Sequence, residues 1–326
     1  MKISVVSSCP YGACSFYRSF GVLPKLKVET IGINDVSWQA LMDTEILYFE
    51  RPDNPAFLQA GQIAKDMNIK LWVDFDDNLF CVPNYNPHAH YYNRAAQSNI
   101  IKNIQQADIV TVTTPALAEE FSTFYDKKII VIPNAHNDYN FPLKHNLSNK
   151  NIILWRGSAT HRKDLLTYSR QIWDIAASSK WNWEFIGKEL WYLTDGIERK
   201  NITPELNIPQ YFKTIKNMQP AVYIVPLVKN KFNTAKSNCG WLEATFAGAV
   251  TLAPNMPEWQ RPGITTYRNP EDFGKKLEML MADFELRKEN YEKSFNYIKQ
   301  NLLLSQINKQ RQQIINNLNH LNYFKK

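Results

Sequence analysis

Cysteine is scarce and scattered in this 326-residue sequence: Cys9, Cys14, Cys81 and Cys239 form no Cys-x-x-Cys pair. That spacing argues against a structural zinc site and a disulfide framework, and fits reduced thiols. No apolar stretch approaches the roughly 18 uninterrupted residues of a membrane-spanning helix. The run Ile3–Val6 behind Met1-Lys2 is also too short for a signal peptide. The expectation is a cytoplasmic protein, in which the sequons at Asn146 and Asn201 carry no meaning. No Gly-x-Gly-x-x-Gly follows Ile3–Val6, which removes the dinucleotide-dependent dehydrogenases. Internal repeats and low-complexity tracts are absent as well.

What is present is material for two cores. Hydrophobic residues make up 44% and aromatics 13% of the chain, so global disorder is excluded, and the length suits two domains. The net charge of +7 suggests an acidic partner: phosphate, nucleic acid or an anionic membrane. Short β-branched runs alternate with amphipathic stretches. Strands are expected at 3–6, 28–31, 46–49, 71–75, 109–112 and 129–132, then at 152–155, 183–186, 222–225 and 250–253. Helical patterns between them (56–67, 93–106, 115–124) imply βαβ units and parallel sheets covered on both faces. A polar stretch at 137–151 breaks the series and reads as a linker. The predicted fold class is α/β, with two doubly wound Rossmann-like domains facing a central cleft. The expected division is residues 1–143 for the first domain and 144–303 for the second. The tail, 304–326, is a basic helix whose apolar face (Ile307, Ile314, Ile315, Leu318, Leu321) packs back on the body.

The segment Phe232 to Gly248 carries the chemistry. After the strand at 222–225 and Pro226-Leu227, a loop leads to a helix expected over Lys236–Gly248, and the strand at 250–253 closes the unit. Ser237 or Asn238 would cap the helix, and its free N–H groups would meet a diphosphate together with Lys236. Glu243, on about the same face as Lys236, would grip ribose hydroxyls. Pro-Leu, then Lys-Ser, then Trp-Leu-Glu-Ala-x-x-Ala-Gly and a strand resembles the donor site of the large retaining GT-B glycosyltransferase family. The resemblance implies a metal-independent enzyme that takes a UDP- or GDP-linked sugar and needs no other cofactor. In that reading Glu243 binds the ribose, and Lys236 with the helix start holds the diphosphate. The family usually has a second Glu, eight residues before the ribose Glu, on the donor sugar; here that position is Ala235.

Other clusters extend this picture. Trp155-Arg156-Gly157-Ser158-Ala159-Thr160-His161-Arg162-Lys163 follows the first strand of the second half. It offers Arg156, Arg162 and Lys163 as phosphate contacts, with Gly157, Ser158 and His161 in the same loop and Asn233 beside the donor. Arg156 and Lys236 would stabilise the leaving diphosphate. The strand at 71–75 runs into Asp76 and Asp77, acids suited to Mg²⁺ or to orienting an acceptor hydroxyl; the latter is the reading adopted, and no metal site is expected. Tyr17 and Arg18, behind a Gly12 turn, and His88 and His90, among Tyr85, Tyr91 and Tyr92, are the candidate acceptor contacts. His-x-His lacks a third zinc ligand. The acceptor expected first is a hydroxymethylated pyrimidine in double-stranded DNA, reached by base flipping. A glycan or lipid-linked acceptor at a membrane surface is the alternative. A non-catalytic binding module, favoured by Ala235, is the third reading.

Overall fold

The computed structural model describes residues 2–8, 12–22, 27–188 and 190–323. The first strand series forms one sheet: β1 (Lys2–Ser7), β2 (Lys27–Ile31), β3 (Ile46–Glu50), β4 (Lys70–Phe75), β5 (Ile109–Val112) and β6 (Ile130–Val131). The second forms another: β7 (Ile152–Arg156), β8 (Asn182–Ile186), β9 (Lys200–Thr203), β10 (Val222–Ile224), β11 (Val250–Pro254) and β12 (Ile264–Tyr267). Strand orders are β2-β1-β3-β4-β5-β6 and β12-β11-β10-β7-β8-β9, and the strand pairs of both sheets are parallel. Helices cover the sheets, which is why β1, β3 and β4 are buried nearly from end to end.

Two strands were not anticipated. β9 (Lys-Asn-Ile-Thr) lies at a sheet edge and is only half buried, so no apolar run marks it. β12 (Ile-Thr-Thr-Tyr) is likewise an edge strand, with a single fully buried residue, Tyr267. The donor helix also differs from expectation. Asn230 caps a short helix, Lys231–Thr234, by accepting from Asn233 N at 2.8 Å. A second helix begins only at Cys239 and ends at Ala247, where Gly248 takes a left-handed φ of 90°. A Cβ there would come within 2.2 Å of the Asn146 carbonyl oxygen, so glycine is required on both counts.

The last helix, Leu304–Tyr323, returns from the second sheet to the first. Ile307, Ile314, Ile315 and Leu318 join a core cluster with Ile3, Tyr48 and Trp72, whereas the side chain of Leu321 lies outside the described residues. Its Arg311 is 3% exposed. Burial, then neighbouring Arg18, pulls the guanidinium pKa down to about 10. Among the described residues no helix is long and apolar enough to cross a membrane.

Candidate active site

β1 lies between β2 and β3, and β7 lies between β8 and β10, so the order of winding reverses beside each of them. In an open α/β sheet a crevice forms beyond the strand carboxyl ends at such a reversal. Here the two crevices open onto one cavity of about 190 Å³. The first sheet lines it with Cys14, Arg51, Asp76 and Asp77; the second with Arg156, the segment after β10, and Ser237, Cys239 and Gly240 at the start of the donor helix. No side chain caps that helix start: Asn238 stands at the cap position but donates instead to the Glu258 carbonyl oxygen at 3.2 Å. A second cavity of about 320 Å³ shares Cys14, Arg51, Asp77, His161 and Lys236 with the first and extends towards Tyr85, His88 and Tyr92.

Cations and acids alternate where the cavities meet. Arg51 follows β3 with a left-handed φ of 49°, a conformation few non-glycine residues adopt. It pairs with Asp76, and its Nη2 donates to Asp77 at 2.8 Å. Lys236 sits in the turn between the two helices, 3.5 Å from Asp77 and 4.5 Å from the centre of the Phe232 ring. Burial works to raise the Asp77 pKa, but Lys236 and Arg51 outweigh it, and the carboxyl is held below its usual range. Among the described residues no group of three or more His, Cys, Asp or Glu side chains is placed to hold a metal ion.

Glu243 does not face the cleft as expected. Its carboxylate is 1% exposed and accepts from Tyr17 Oη at 2.9 Å, Tyr211 Oη at 2.8 Å and Tyr223 Oη at 3.0 Å. Both Nε and Nη2 of Arg156 donate to it as well. The reason is geometric: with the helix starting at Cys239, Glu243 lies in its interior and its side chain points into the protein behind Arg156. Burial opposes the charge on Arg156, yet Glu243 holds its pKa well above the ordinary value. In this arrangement Glu243 fixes Arg156 at the cavity wall. Glu243→Gln should therefore cost about 2 kcal/mol of stability, the scale of hydrogen bonds to a charged group, as measured by urea unfolding. An unchanged midpoint with weakened nucleotide binding would restore the ribose role.

The loop after β7 divides its residues. His161 lines both cavities, and its Nδ1 lies 2.9 Å from Asp164 Oδ2. Gly157 packs so close to Trp155 that a Cβ would come within 2.6 Å of the indole ring. Ser158 lines the second cavity. Arg162 and Lys163 are exposed, and Arg162 lies over the ring of Tyr192 at 4.8 Å. Asn233 also lines the second cavity, but is 2% exposed and donates to Asp164 at 3.0 Å and to the Val228 carbonyl oxygen at 2.8 Å. Ser237 lines the first cavity and accepts from Asn134 Nδ2 at 2.9 Å.

Of the acceptor candidates, Tyr17 lines the first cavity while bonding Glu243. Residues 9–11 of its loop lie outside the described residues. Arg18 is a correction. It is 1% exposed and grips Asp74 with two hydrogen bonds, 2.8 and 2.7 Å, so it cannot reach a ligand. Its Nη1 also donates to Asn134 Oδ1 at 3.0 Å. His88 and His90 are exposed and flank Tyr91; His88 lines the second cavity. Arg51, Asp164, Tyr211 and Tyr223 were missed. Arg51 had a signal, since it follows β3 much as Asp76 follows β4. The tyrosines carried none.

No family model matches the chain, and neither does any curated protein sequence. Solved structures do match. A sucrose-phosphate synthase from Thermosynechococcus elongatus superposes with a TM-score of 0.73 at 11% identity, covering 98% of this chain and 100% of that one. Anabaena HepE in complex with UDP-glucose gives 0.72 at 13% identity, covering 97% and 100%. An alpha-glucosyltransferase in complex with UDP-glucose and DNA containing an abasic site gives 0.66 at 12% identity, covering 97% and 99%. The fold is the GT-B fold.

Across this GT-B cleft the two halves touch directly. Besides Tyr17–Glu243, Asn134–Ser237 and Asp77–Lys236, Thr114 Oγ1 donates to the Ala235 carbonyl oxygen at 3.0 Å. Ala235 itself is 2% exposed and belongs to the apolar cluster beneath the first sheet, with Phe75 and Leu117. A carboxylate at 235 would enter that apolar contact and lose its hydration.

Proposed function

We propose that the chain is a glycosyltransferase that moves a sugar from a nucleotide-sugar, UDP- or GDP-linked, to a hydroxyl acceptor. The observation that carries this is the pair of opposed switch-point crevices, with Arg156, Lys236 and an uncapped helix start gathered on one cavity. A diphosphate is the anion such a wall suits: two cations and free N–H groups stabilise charge as it develops on the leaving group. Residues 144–303 supply this donor half and residues 1–143 the acceptor half. Transfer is metal-independent, the anomeric configuration is retained, and the protein works in the cytoplasm. UDP and UDP-glucose complexes among proteins of the same fold support the donor class.

The acceptor we propose is a hydroxymethylated pyrimidine in DNA. It is supported by the net charge of +7, the exposed His88–Tyr91 group at the second cavity, and a protein of the same fold crystallised with DNA. Transfer of radiolabelled sugar from UDP- and GDP-sugars to hydroxymethylated duplex DNA, unmodified duplex and anionic liposomes tests this directly. Label on the modified duplex alone is expected. Label in lipid or glycan, with none on DNA, would replace the acceptor while leaving the donor class standing.

A further inference from the structure

Trp191 is 62% exposed, matched only by Tyr91 among the large apolar side chains of the described residues. Its neighbours fix that exposure. Leu190, Leu193 and Ile197 enter the core of the second half, which turns Trp191 and the half-buried Tyr192 of the short helix Trp191–Thr194 outwards. The helix follows β8, whose carboxyl end packs on that of β7: a Cβ at Gly187 would come within 2.1 Å of the Gly157 carbonyl oxygen. It therefore stands beside the loop after β7, whose Ser158, Thr160 and His161 line the second cavity. Arg162, the next residue, lies over both rings, 5.6 Å from the centre of the Trp191 ring and 4.8 Å from that of Tyr192.

Position and charge point to the ligand of this ridge. It lies on the outer lip of the second cavity, and the exposed cluster of His88, His90 and Tyr91 stands on the first half, with His88 lining the same cavity. Only a ligand longer than a nucleotide-sugar reaches from inside the cavity to a lip, so the ridge suits a polymer. Arg162 and Lys163 are exposed and pair with no carboxylate among the described residues. Asp164, the acid of that turn, faces inwards to His161, Val228 N and Asn233. An indole beside unpaired cations suits a chain that alternates flat bases with phosphates. A neutral glycan would leave both cations unused.

We propose, resting on the DNA-acceptor reading above, that the acceptor strand leaves the second cavity over this ridge, where one of its bases stacks on the Trp191 indole and Arg162 binds an adjacent phosphate. Stacking needs a base face freed from its neighbours, so the ridge engages a strand opened at the acceptor base. Extruding a base costs unstacking energy, and the contact with Trp191 offsets part of it.

Fluorescence anisotropy on the full chain, with labelled single-stranded and duplex DNA carrying hydroxymethylcytosine, tests this. Trp191→Ala should weaken single-strand binding about tenfold, the scale of one base on one aromatic face, and duplex binding in the same direction. Its Tm should stay within about 1 °C of wild type, as for a surface substitution. Trp38→Ala, which removes an indole 54% exposed on the other half, should leave affinity unchanged. Arg162→Gln should lower the slope of log K against log salt by about 0.7, the share of one phosphate on a single strand. The fluorescent base aminopurine, placed in turn on either side of the modified base, should be quenched at one position and recover in Trp191→Ala. Equal affinities of wild type and Trp191→Ala, or quenching that survives the substitution, would overturn the ridge and leave the DNA acceptor standing. Loss of binding to phosphatidylglycerol vesicles in Trp191→Ala, with DNA binding intact, would overturn it in favour of a membrane surface. Wild-type protein that binds neither DNA form overturns the ridge and the DNA acceptor together, and leaves the donor class to be judged by thermal shift with nucleotide-sugars.

Discussion

Replacing Arg18 by Met should lower stability by about 3–5 kcal/mol, because it leaves Asp74 buried without its counter-charge. At this chain length that is a fall in Tm of about 4–7 °C. Both side chains of the pair are 1% exposed, and Asp74 also accepts from Thr111. Burial opposes the guanidinium charge, and Asp74 more than restores it. The loss should be partly recovered in Arg18→Met/Asp74→Leu, since an apolar pair carries no orphaned charge. Scanning calorimetry on both variants reads this. A direct phosphate contact would behave oppositely, with normal Tm and weakened donor binding. Donor affinity should still decline modestly, because Arg18 holds Asn134, which spans the cleft to Ser237.

Lys236→Ala should reduce transfer by about 10²–10³, the loss seen when one preorganised charge-stabilising donor is removed. Stability should move little. Lys236 and Asp77 are each 20% exposed, and Asp77 keeps Arg51 as a partner. Steady-state kinetics with a productive nucleotide-sugar would show the loss mainly in kcat if the ammonium acts as the diphosphate leaves. An equal loss in kcat/KM from KM alone would make it a ground-state anchor. The cation–π contact with Phe232 holds the ammonium at the cavity wall without neutralising it.

How legible this was depends on sequence distance. Most strands of both sheets appear as short β-branched runs, because a strand covered on two faces must be apolar along its length. β9 and β12 escaped because edge strands need not be. Arg156, Lys236, Ser237 and His161 could be singled out because a charge or polar group just beyond a strand, or at a helix start, is a local pattern; all four line the first cavity. Arg18 and Glu243 were misjudged for the opposite reason. Their partners, Asp74 and Tyr17, are 56 and 226 residues away, and nothing local shows that a charge will be buried against them. The helix start was placed three residues early because Lys236-Ser237-Asn238 reads as a cap, whereas Asn230 caps a separate turn first.

The central claim is that the cavity between the two switch points binds a nucleoside diphosphate sugar. Thermal unfolding of the full chain against a panel of UDP- and GDP-sugars tests it most directly. A donor at 100 times its Kd should stabilise the wild type by about 2.7 kcal/mol. Arg156→Met should abolish most of that gain, whereas Lys236→Ala, whose loss falls on kcat, should keep most of it. A stably folded protein whose Tm is unmoved by every nucleotide-sugar at millimolar concentration, or an Arg156→Met variant stabilised as much as the wild type, would contradict it.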